Sequence, residues 1–256
     1  MIKKKLTKLV GLKKEQFDAF IANGQIQVQS AKLIPTLKTG DEMALTSIFL
    51  SSMRLINEFR QGIFRDIKLS NSGKLYYYTE VVFPEIESSR VDGMVVNVTS
   101  GTIKEVAFFE MKSKNNGIDS AQVESYIAIA KKLGVGTMVT VSNEFVSNPS
   151  NSPINIRVPK SITMYHLSWT YILTKGHLLL FKNENNIKDV DQVEIMREVL
   201  SYLESPISGV LGFMQMKPGW KETFECVKAN KKMRLSDPYV EEAVVSWHEE
   251  EKDMAL

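Results

Sequence analysis

The stretch RVDGMVVNVTSGTIKEVAFFEMKSK, from Arg90 to Lys114, contains two apolar runs separated by Ser-Gly. Runs rich in β-branched and aromatic residues on either side of a glycine turn predict a β-hairpin. Strand interiors rarely bury charged side chains unless these are paired or functional. This hairpin nevertheless carries Asp92, Glu110 and Lys112, so it decides both the fold and the position of a candidate site.

The register of the hairpin determines whether its two acidic residues meet. We expect a three-residue loop over 99–101, with Gly101 in the left-handed conformation of a bulged turn. In that register Asp92 lies opposite Phe108 and diagonal to Glu110 on one face of the sheet. A two-residue turn followed by regular pairing would instead send the two carboxylates to opposite faces.

Sequence patterns on either side of the hairpin predict an α/β fold. The expected core order is a helix, a three-strand antiparallel meander, a helix and a strand, followed by a mostly helical C-terminal region. Neither face of the central strands is consistently polar, so both sheet faces should be covered. The predicted helices are 13–22, 41–67, 119–133 and 190–203, and the predicted strands are 24–34, 75–83, 91–98, 103–112, 137–142 and 161–173.

The chain divides into three expected regions. Residues 1–40 form an N-terminal helix and strand extension, 41–205 form the core, and 206–256 form the helical region, which we expect to continue in a longer protein.

Composition excludes several classes of site. Cys226 is the only cysteine, which excludes an intramolecular disulfide and a cysteine-based zinc site and favours a cytoplasmic location. No apolar run approaches the roughly 18 residues of a membrane span, and no signal-peptide pattern is visible, so we expect no membrane partner. The net charge of +2 predicts no broad basic surface, so nucleic-acid binding would need a local groove.

Asp92, Glu110 and Lys112 together predict a hydrolytic site. Two ionised carboxylates that are close and half-buried repel each other unless protons or a cation neutralise them. Mg²⁺, with Mn²⁺ as a substitute, neutralises such a pair and binds phosphate at its remaining positions. Lys112 shares the strand face of Glu110 and would orient water or hold transition-state charge. A salt bridge between Lys112 and one carboxylate is the structural alternative.

These motifs resemble those of the PD-(D/E)XK, or restriction-endonuclease-like, nuclease superfamily. Asp92 in RVDG matches the family's second-strand aspartate, and Glu110-Met111-Lys112 matches its third-strand (Asp/Glu)-X-Lys motif. The residue before Asp92 is valine where the family pattern has proline. The resemblance covers roughly 41–173 and implies Mg²⁺-dependent hydrolysis of DNA, with endonuclease activity expected.

Three further residues extend the resemblance. Glu42 in GDEMALT matches a glutamate that many members carry on the first core helix, and the resemblance makes it a metal ligand beside Asp92 and Glu110. Gln122 and Tyr126 in AQVESY match a Gln and Tyr four apart in some branches. Such spacing puts both on one helical face.

Alternatives remain open at several positions. Glu58 is a second choice for the helix acid, Glu80 is a further acidic candidate, and His166 is expected to be a core histidine. The candidate DNA-backbone contacts are Lys114, Asn115, Asn116, Lys131 and Lys132. Two other readings compete with a nuclease. One is an inactive nuclease-fold module that binds DNA or acts as a scaffold, and the other is an unrelated α/β protein with a salt-bridge triad.

Overall fold

The structure is a computed structural model that describes residues 6–30, 41–114, 116–146, 148–181, 187–211 and 216–253, without the side chains of residues 30, 87–89, 252 and 253. The helices in this part of the chain are α1 (Lys14–Ala22), α2 (Glu42–Leu55), α3 (Asn57–Asp66), α4 (Ser120–Leu133), α5 (Trp169–Phe181), α6 (Val190–Glu204), α7 (Pro218–Lys228) and α8 (Pro238–Asp253). The strands are β1 (Gln27–Ser30), β2 (Lys74–Phe83), β3 (Glu87–Thr99), β4 (Thr102–Met111), β5 (Thr137–Ser142) and β6 (Thr163–Ser168). No helix in these ranges is long and apolar enough to cross a membrane.

The strands form one mixed sheet in the order β1-β2-β3-β4-β5-β6. Strands β1 to β4 pair antiparallel, whereas β4, β5 and β6 pair parallel. A parallel connection needs a crossover, and α4 provides it between β4 and β5. The predicted α/β class and the order of helix, meander, helix and strand are therefore present. The last four residues of the strand predicted at 24–34 lie outside the described residues.

Helices cover both faces of the sheet, as neither face of the central strands is polar. On the α2 face, Phe49 packs edge-on against Phe109 and Trp169, with ring centroids 6.3 and 6.1 Å apart. On the α4 face, Phe108 packs against Phe83 at 5.9 Å. The neighbouring residues Phe108 and Phe109 thus fill opposite cores, as alternation along a strand requires.

The turn of the central hairpin differs from the predicted one. Thr99 pairs with Thr102, which leaves Ser100 and Gly101 as a two-residue turn. Both have positive φ, 51° and 71°, as a type I′ turn requires. The predicted three-residue loop over 99–101 is wrong, because Ser100 also adopts the left-handed conformation.

A β-bulge in β4 compensates for the shorter turn. The register shifts between the pairs Val98↔Ile103 and Asn97↔Glu105, so Lys104 is an extra residue in β4. Beyond the bulge, each side chain of β4 points to the face opposite to the one that regular pairing would give it.

The bulge restores the meeting of the two acidic residues. The pairs continue through Met94↔Phe108 to Gly93↔Phe109, and one step further the register sets Asp92 directly opposite Glu110. The prediction that Asp92 lies opposite Phe108 is therefore wrong. The prediction that the two acidic residues come together is correct for a different reason.

Two other predicted elements change. The helix predicted at 41–67 is interrupted at Ile56, which has extended backbone angles and a fully buried side chain, so α2 and α3 are separate helices. The strand predicted at 161–173 ends at Ser168, whose hydroxyl accepts a hydrogen bond from the Tyr171 amide and begins α5. Trp169 is therefore a helical residue, because an N-capping serine overrides the β-branched composition that follows.

The segment after 206 contacts the core and ends in two antiparallel helices. The Lys114 amide donates to the Gly209 carbonyl at 2.7 Å, and the Leu211 amide donates to Asn143 Oδ1 at 2.9 Å. Helices α7 and α8 pack on each other, and α8 also packs against α5.

Candidate functional site

The candidate site lies where β3 and β4 separate. Their ladder ends at Gly93↔Phe109, after which β4 continues towards β5 and the Lys112 amide donates to the Val141 carbonyl at 2.8 Å. The Met111 amide would lose its partner on β3 at this point. Instead it donates to Asp92 Oδ2 at 3.0 Å, so the aspartate side chain satisfies the backbone at the separation.

Lys112 lies between three side chains. Its Nζ is 2.6 Å from Glu110 Oε1, donates to Gln122 Oε1 at 2.9 Å and is 3.8 Å from Glu42 Oε2. The Glu110 side chain is fully buried and that of Lys112 is 14% exposed. Burial lowers the pKa of Lys112, but the hydrogen bond and charge of Glu110 outweigh it, and the net pKa is raised. Lys112 is therefore a fixed ammonium.

Asp92 and Glu110 face each other where β3 and β4 separate and form a carboxyl pair. Burial, and then the charge of Asp92, raises the pKa of Glu110 from 4.5 to about 8. Burial also raises the pKa of Asp92, against the opposing effect of the Met111 amide. Two carboxyl groups in contact cannot both ionise cheaply, so the pair retains a proton near neutral pH.

Helix α4 presents Gln122 and Tyr126 to the strands. The Asp119 side chain caps this helix by accepting from the Ala121 amide at 2.9 Å. Gln122 Nε2 donates to Glu110 Oε2 at 3.0 Å and to the Tyr126 hydroxyl at 2.9 Å. The Tyr126 hydroxyl in turn donates to the Arg90 carbonyl. The two residues thus share one helical face, as their spacing predicts, and both belong to the site.

Glu42 approaches the site from the first turn of α2. Its Oε1 accepts from the Ser113 amide at 3.2 Å and from Asn116 Nδ2 at 2.9 Å. Glu58 lies in the first turn of α3, beyond the far end of the 14-residue α2 and about 20 Å away along that helix. Of the two acids considered from sequence, Glu42 is the one that the structure brings to Lys112.

Glu80 forms an ion pair with Arg90, which sequence reasoning did not single out. Arg90 Nη1 lies 2.5 Å from Glu80 Oε2. Burial raises the pKa of Glu80, and the charge of Asp92 raises it further while that of Arg90 lowers it. Glu80 has a φ of 54° and lies where β2 bulges against β1, in the left-handed region that disfavours most residues.

Arg90 lines the cleft through which the carboxyl pair is reached. The cleft encloses about 390 Å³ and is lined by Arg90, Asp92, Gln122, Ser125 and Tyr126. The Arg90 side chain is 57% exposed and is the arginine nearest the pair. Its position two residues before Asp92 on β3 is the sequence signal that could have identified it.

Two buried side chains support the site from the core. The Trp169 indole donates to the Lys112 carbonyl at 2.8 Å and fixes the backbone that carries the lysine. His166 is fully buried, with its ring nitrogens 2.9 Å from Thr140 Oγ1 and 2.8 Å from the Glu144 carbonyl. Burial lowers the pKa of His166, as expected for a core histidine.

The predicted DNA-backbone contacts are dispersed. Lys114 is exposed just beyond Lys112, whereas the Asn116 side chain is held by Glu42. Lys131 and Lys132 are exposed in the last turn of α4, about 14 Å along the helix from Gln122. Asn115 lies outside the described residues.

The residues present fit a hard divalent cation. The register sets the Asp92 and Glu110 carboxylates opposite each other, and such a buried pair is unfavourable when both are ionised without a cation. Among the described residues, no three His, Cys, Asp or Glu side chains are close enough to form a metal cage. Mg²⁺ needs only one or two carboxylates and retains several waters, so Asp92 and Glu110 are its candidate ligands, and of this cluster Glu42 reaches only Lys112, with Oε2 3.8 Å from Nζ.

Comparison with known proteins adds no assignment at this point. No family model, curated protein or solved structure matches the chain.

Proposed function

We propose that the protein is a metal-dependent nuclease that hydrolyses DNA phosphodiester bonds. The observation that carries the proposal is the buried Asp92 and Glu110 carboxyl pair, with Lys112 Nζ 2.6 Å from Glu110, at the separation of β3 and β4. A salt bridge alone would need one carboxylate. The second carboxylate raises the energy of the pair and is explained by a cation that binds both.

The carboxylates and Lys112 have different proposed roles at the site. Asp92 and Glu110, with Glu42 adjacent, would hold Mg²⁺, which when bound polarises the phosphate and activates water. The Lys112 ammonium orients the attacking water and stabilises the negative charge that develops on phosphorus-bound oxygens. Its position needs no rearrangement, because Glu110 and Gln122 already fix it.

The order of elements supports the same proposal. Helix α2, the meander β2 to β4, helix α4 and strand β5 follow the order that the resemblance implies, with Asp92 on β3, Glu110 on β4 and Lys112 directly after β4. Arg90 at the cleft adds a cation that a phosphate backbone would meet before reaching Asp92.

Cleavage of linear, circular and single-stranded DNA in Mg²⁺ or Mn²⁺ tests the proposal, with an RNA substrate as a separate arm. We expect Asp92→Ala and Lys112→Ala to lower the rate by at least about a hundredfold, as the loss of a charge-stabilising group does. Lys104→Ala, an exposed lysine on the same strand, is the matched control and should keep full activity.

The outcomes distinguish the candidate functions. Cleavage of circular DNA identifies an endonuclease. Activity that persists in both folded site variants defeats the assignment of Asp92 and Lys112. Intact DNA combined with salt-sensitive binding, and no response of the site to Mg²⁺, would select the inactive DNA-binding module instead.

A further inference from the structure

The hairpin of α7 and α8 presents an apolar surface that the proposed nuclease site does not use. Trp220, Phe224 and Val227 recur at helical spacing on α7, and Val244 and Trp247 do so on α8. Their exposed fractions range from 37% to 56%. Large apolar side chains in register on two helices are not explained by packing within the hairpin.

The two rows of side chains join into one patch, which we call the tryptophan face. Trp220 and Trp247 stack with ring centroids 6.0 Å apart and planes 11° apart. The helices run antiparallel: the Lys217 amide, before α7, donates to Ser246 Oγ in the middle of α8 at 2.8 Å, whereas Thr223 Oγ1, further along α7, donates to the Tyr239 carbonyl near the start of α8 at 3.2 Å. Exposed contiguous patches of this composition are typical of protein interfaces.

The tryptophan face carries opposite charges at its two ends. Lys228 and Lys231 follow Phe224 and Val227 by four residues, and Lys232 and Arg234 are exposed in the same turn. At the other end, Glu250 and Glu251 follow Trp247 by three and four residues. Exposed Lys221 and Glu241, each three residues before an apolar member of the face, oppose the charge of their own ends. The apolar rows therefore run from an end with a surplus of basic residues, at the turn between the helices, to an end with a surplus of acidic ones.

We propose that a second copy of this chain docks on the tryptophan face, with the two hairpins antiparallel about a twofold axis. A twofold interface must be complementary to itself, and a surface with one basic and one acidic end meets this condition only in the antiparallel arrangement. The basic end of each copy then meets the acidic end of the other, which gives two identical attractive contacts. The acidic end disfavours a nucleic acid as the occupant.

Oligomeric mass is the first test. Sedimentation equilibrium over a concentration series should show a species of twice the 29.0 kDa chain mass. Phe224→Glu places an exposed charge in the patch without entering the core and should give a monomer of unchanged circular dichroism. A wild-type chain that stays monomeric at its highest soluble concentration overturns the proposal.

A charge exchange tests the arrangement itself. Lys228→Glu/Lys231→Glu and Glu250→Lys/Glu251→Lys should each weaken self-association by at least about tenfold, since like charges then meet at both contacts. An equimolar mixture of the two should form a heterodimer, because each end again meets its opposite. Lys104→Glu/Lys160→Glu, two exposed lysines far from the hairpin in sequence, is the matched control and should dimerise normally. Dimers that survive either reversal, or a mixture that stays monomeric, overturn the antiparallel interface.

Discussion

The Asp92 and Glu110 pair predicts a specific dependence of stability on pH. Burial and the neighbouring Asp92 charge raise the pKa of Glu110 from 4.5 to about 8. In the unfolded chain the carboxyl titrates near its ordinary value. Between pH 4.5 and about 8 the folded protein therefore holds a proton that the unfolded chain has released, and the free energy of unfolding falls as the pH rises.

The magnitude follows from the linkage relation. One proton corresponds to a slope of about 1.4 kcal/mol per pH unit, so from about pH 5.5 to about pH 8 the loss is about 3 kcal/mol. Glu110→Gln removes the titrating group but keeps an amide that can donate to Asp92. The variant should lack this slope, while groups outside the cluster of Asp92, Glu110 and Lys112 titrate as before.

Urea unfolding of the two proteins in EDTA, at a series of pH values across this window, measures the effect. The difference between the two curves reports Glu110 together with the groups coupled to it, Asp92 and Lys112, because groups outside this cluster are common to both proteins and cancel. Relative to wild type, Glu110→Gln should gain about 3 kcal/mol across the window. Glu124→Gln, the same substitution at an exposed glutamate on α4, is the matched control. A flat or oppositely sloped curve for Glu110→Gln would refute the shared proton.

Four further predictions concern the same strands. At about ten times its dissociation constant, Mg²⁺ should stabilise the protein by about 1.4 kcal/mol in thermal melts near pH 8, and Asp92→Asn should abolish this shift. Gly93→Ala should destabilise by about 1–3 kcal/mol in urea, because its Cβ would lie 2.9 Å from a leucine side chain of α2. Trp169→Phe removes the 2.8 Å hydrogen bond to the Lys112 carbonyl and should lower the free energy of unfolding by about 1 kcal/mol or more and reduce nuclease activity. An unchanged melting curve would contradict this role. Deletion of Lys104 should change the free energy of unfolding by no more than about 1 kcal/mol, because the pairs on both sides of the bulge, Val98 with Ile103 and Asn97 with Glu105, then follow one another in a regular strand. Loss of the Mg²⁺ response in this variant would disprove the bulged register.

Periodicity was sufficient to predict most elements. The helix predicted at 119–133 and the strand at 137–142 agree with α4 and β5, because Asp119 and Gly134 supply local signals at the helix ends. The strand predicted at 161–173 fails because composition over 169–173 suits either structure. The side chain that decides between them is the capping Ser168, which begins α5.

The hairpin register shows why the site was predicted for the wrong reason. Asp92 and Glu110 share a face only if one residue between them is left out of the regular pairing. That residue can lie in the turn, as a three-residue loop, or in the strand, as a bulge. The choice is visible in the apolar pattern: Ile103 and Val106 are both buried on the α4 face, yet they are three residues apart. A spacing of three on one face of a strand indicates a bulge between the two residues, and the register identifies Lys104 as the extra residue.

The ion pair of Glu80 and Arg90 was beyond sequence reasoning. It joins diagonal positions of β2 and β3, where Thr79 pairs with Gly93 and Val81 with Val91. Sequence patterns give the alternation along one strand, whereas this contact depends on the register between two strands.

The hydrogen bonds of Gln122 restrict where protons can travel. Its amide oxygen accepts from Lys112, and its amide nitrogen donates to Glu110 and to the Tyr126 hydroxyl. A carboxamide neither gains nor loses a proton at ordinary pH. Gln122 therefore joins these groups mechanically but relays no proton between Lys112 and Tyr126 through its own side chain. A glutamate at this position would keep the shape of the side chain and open that route.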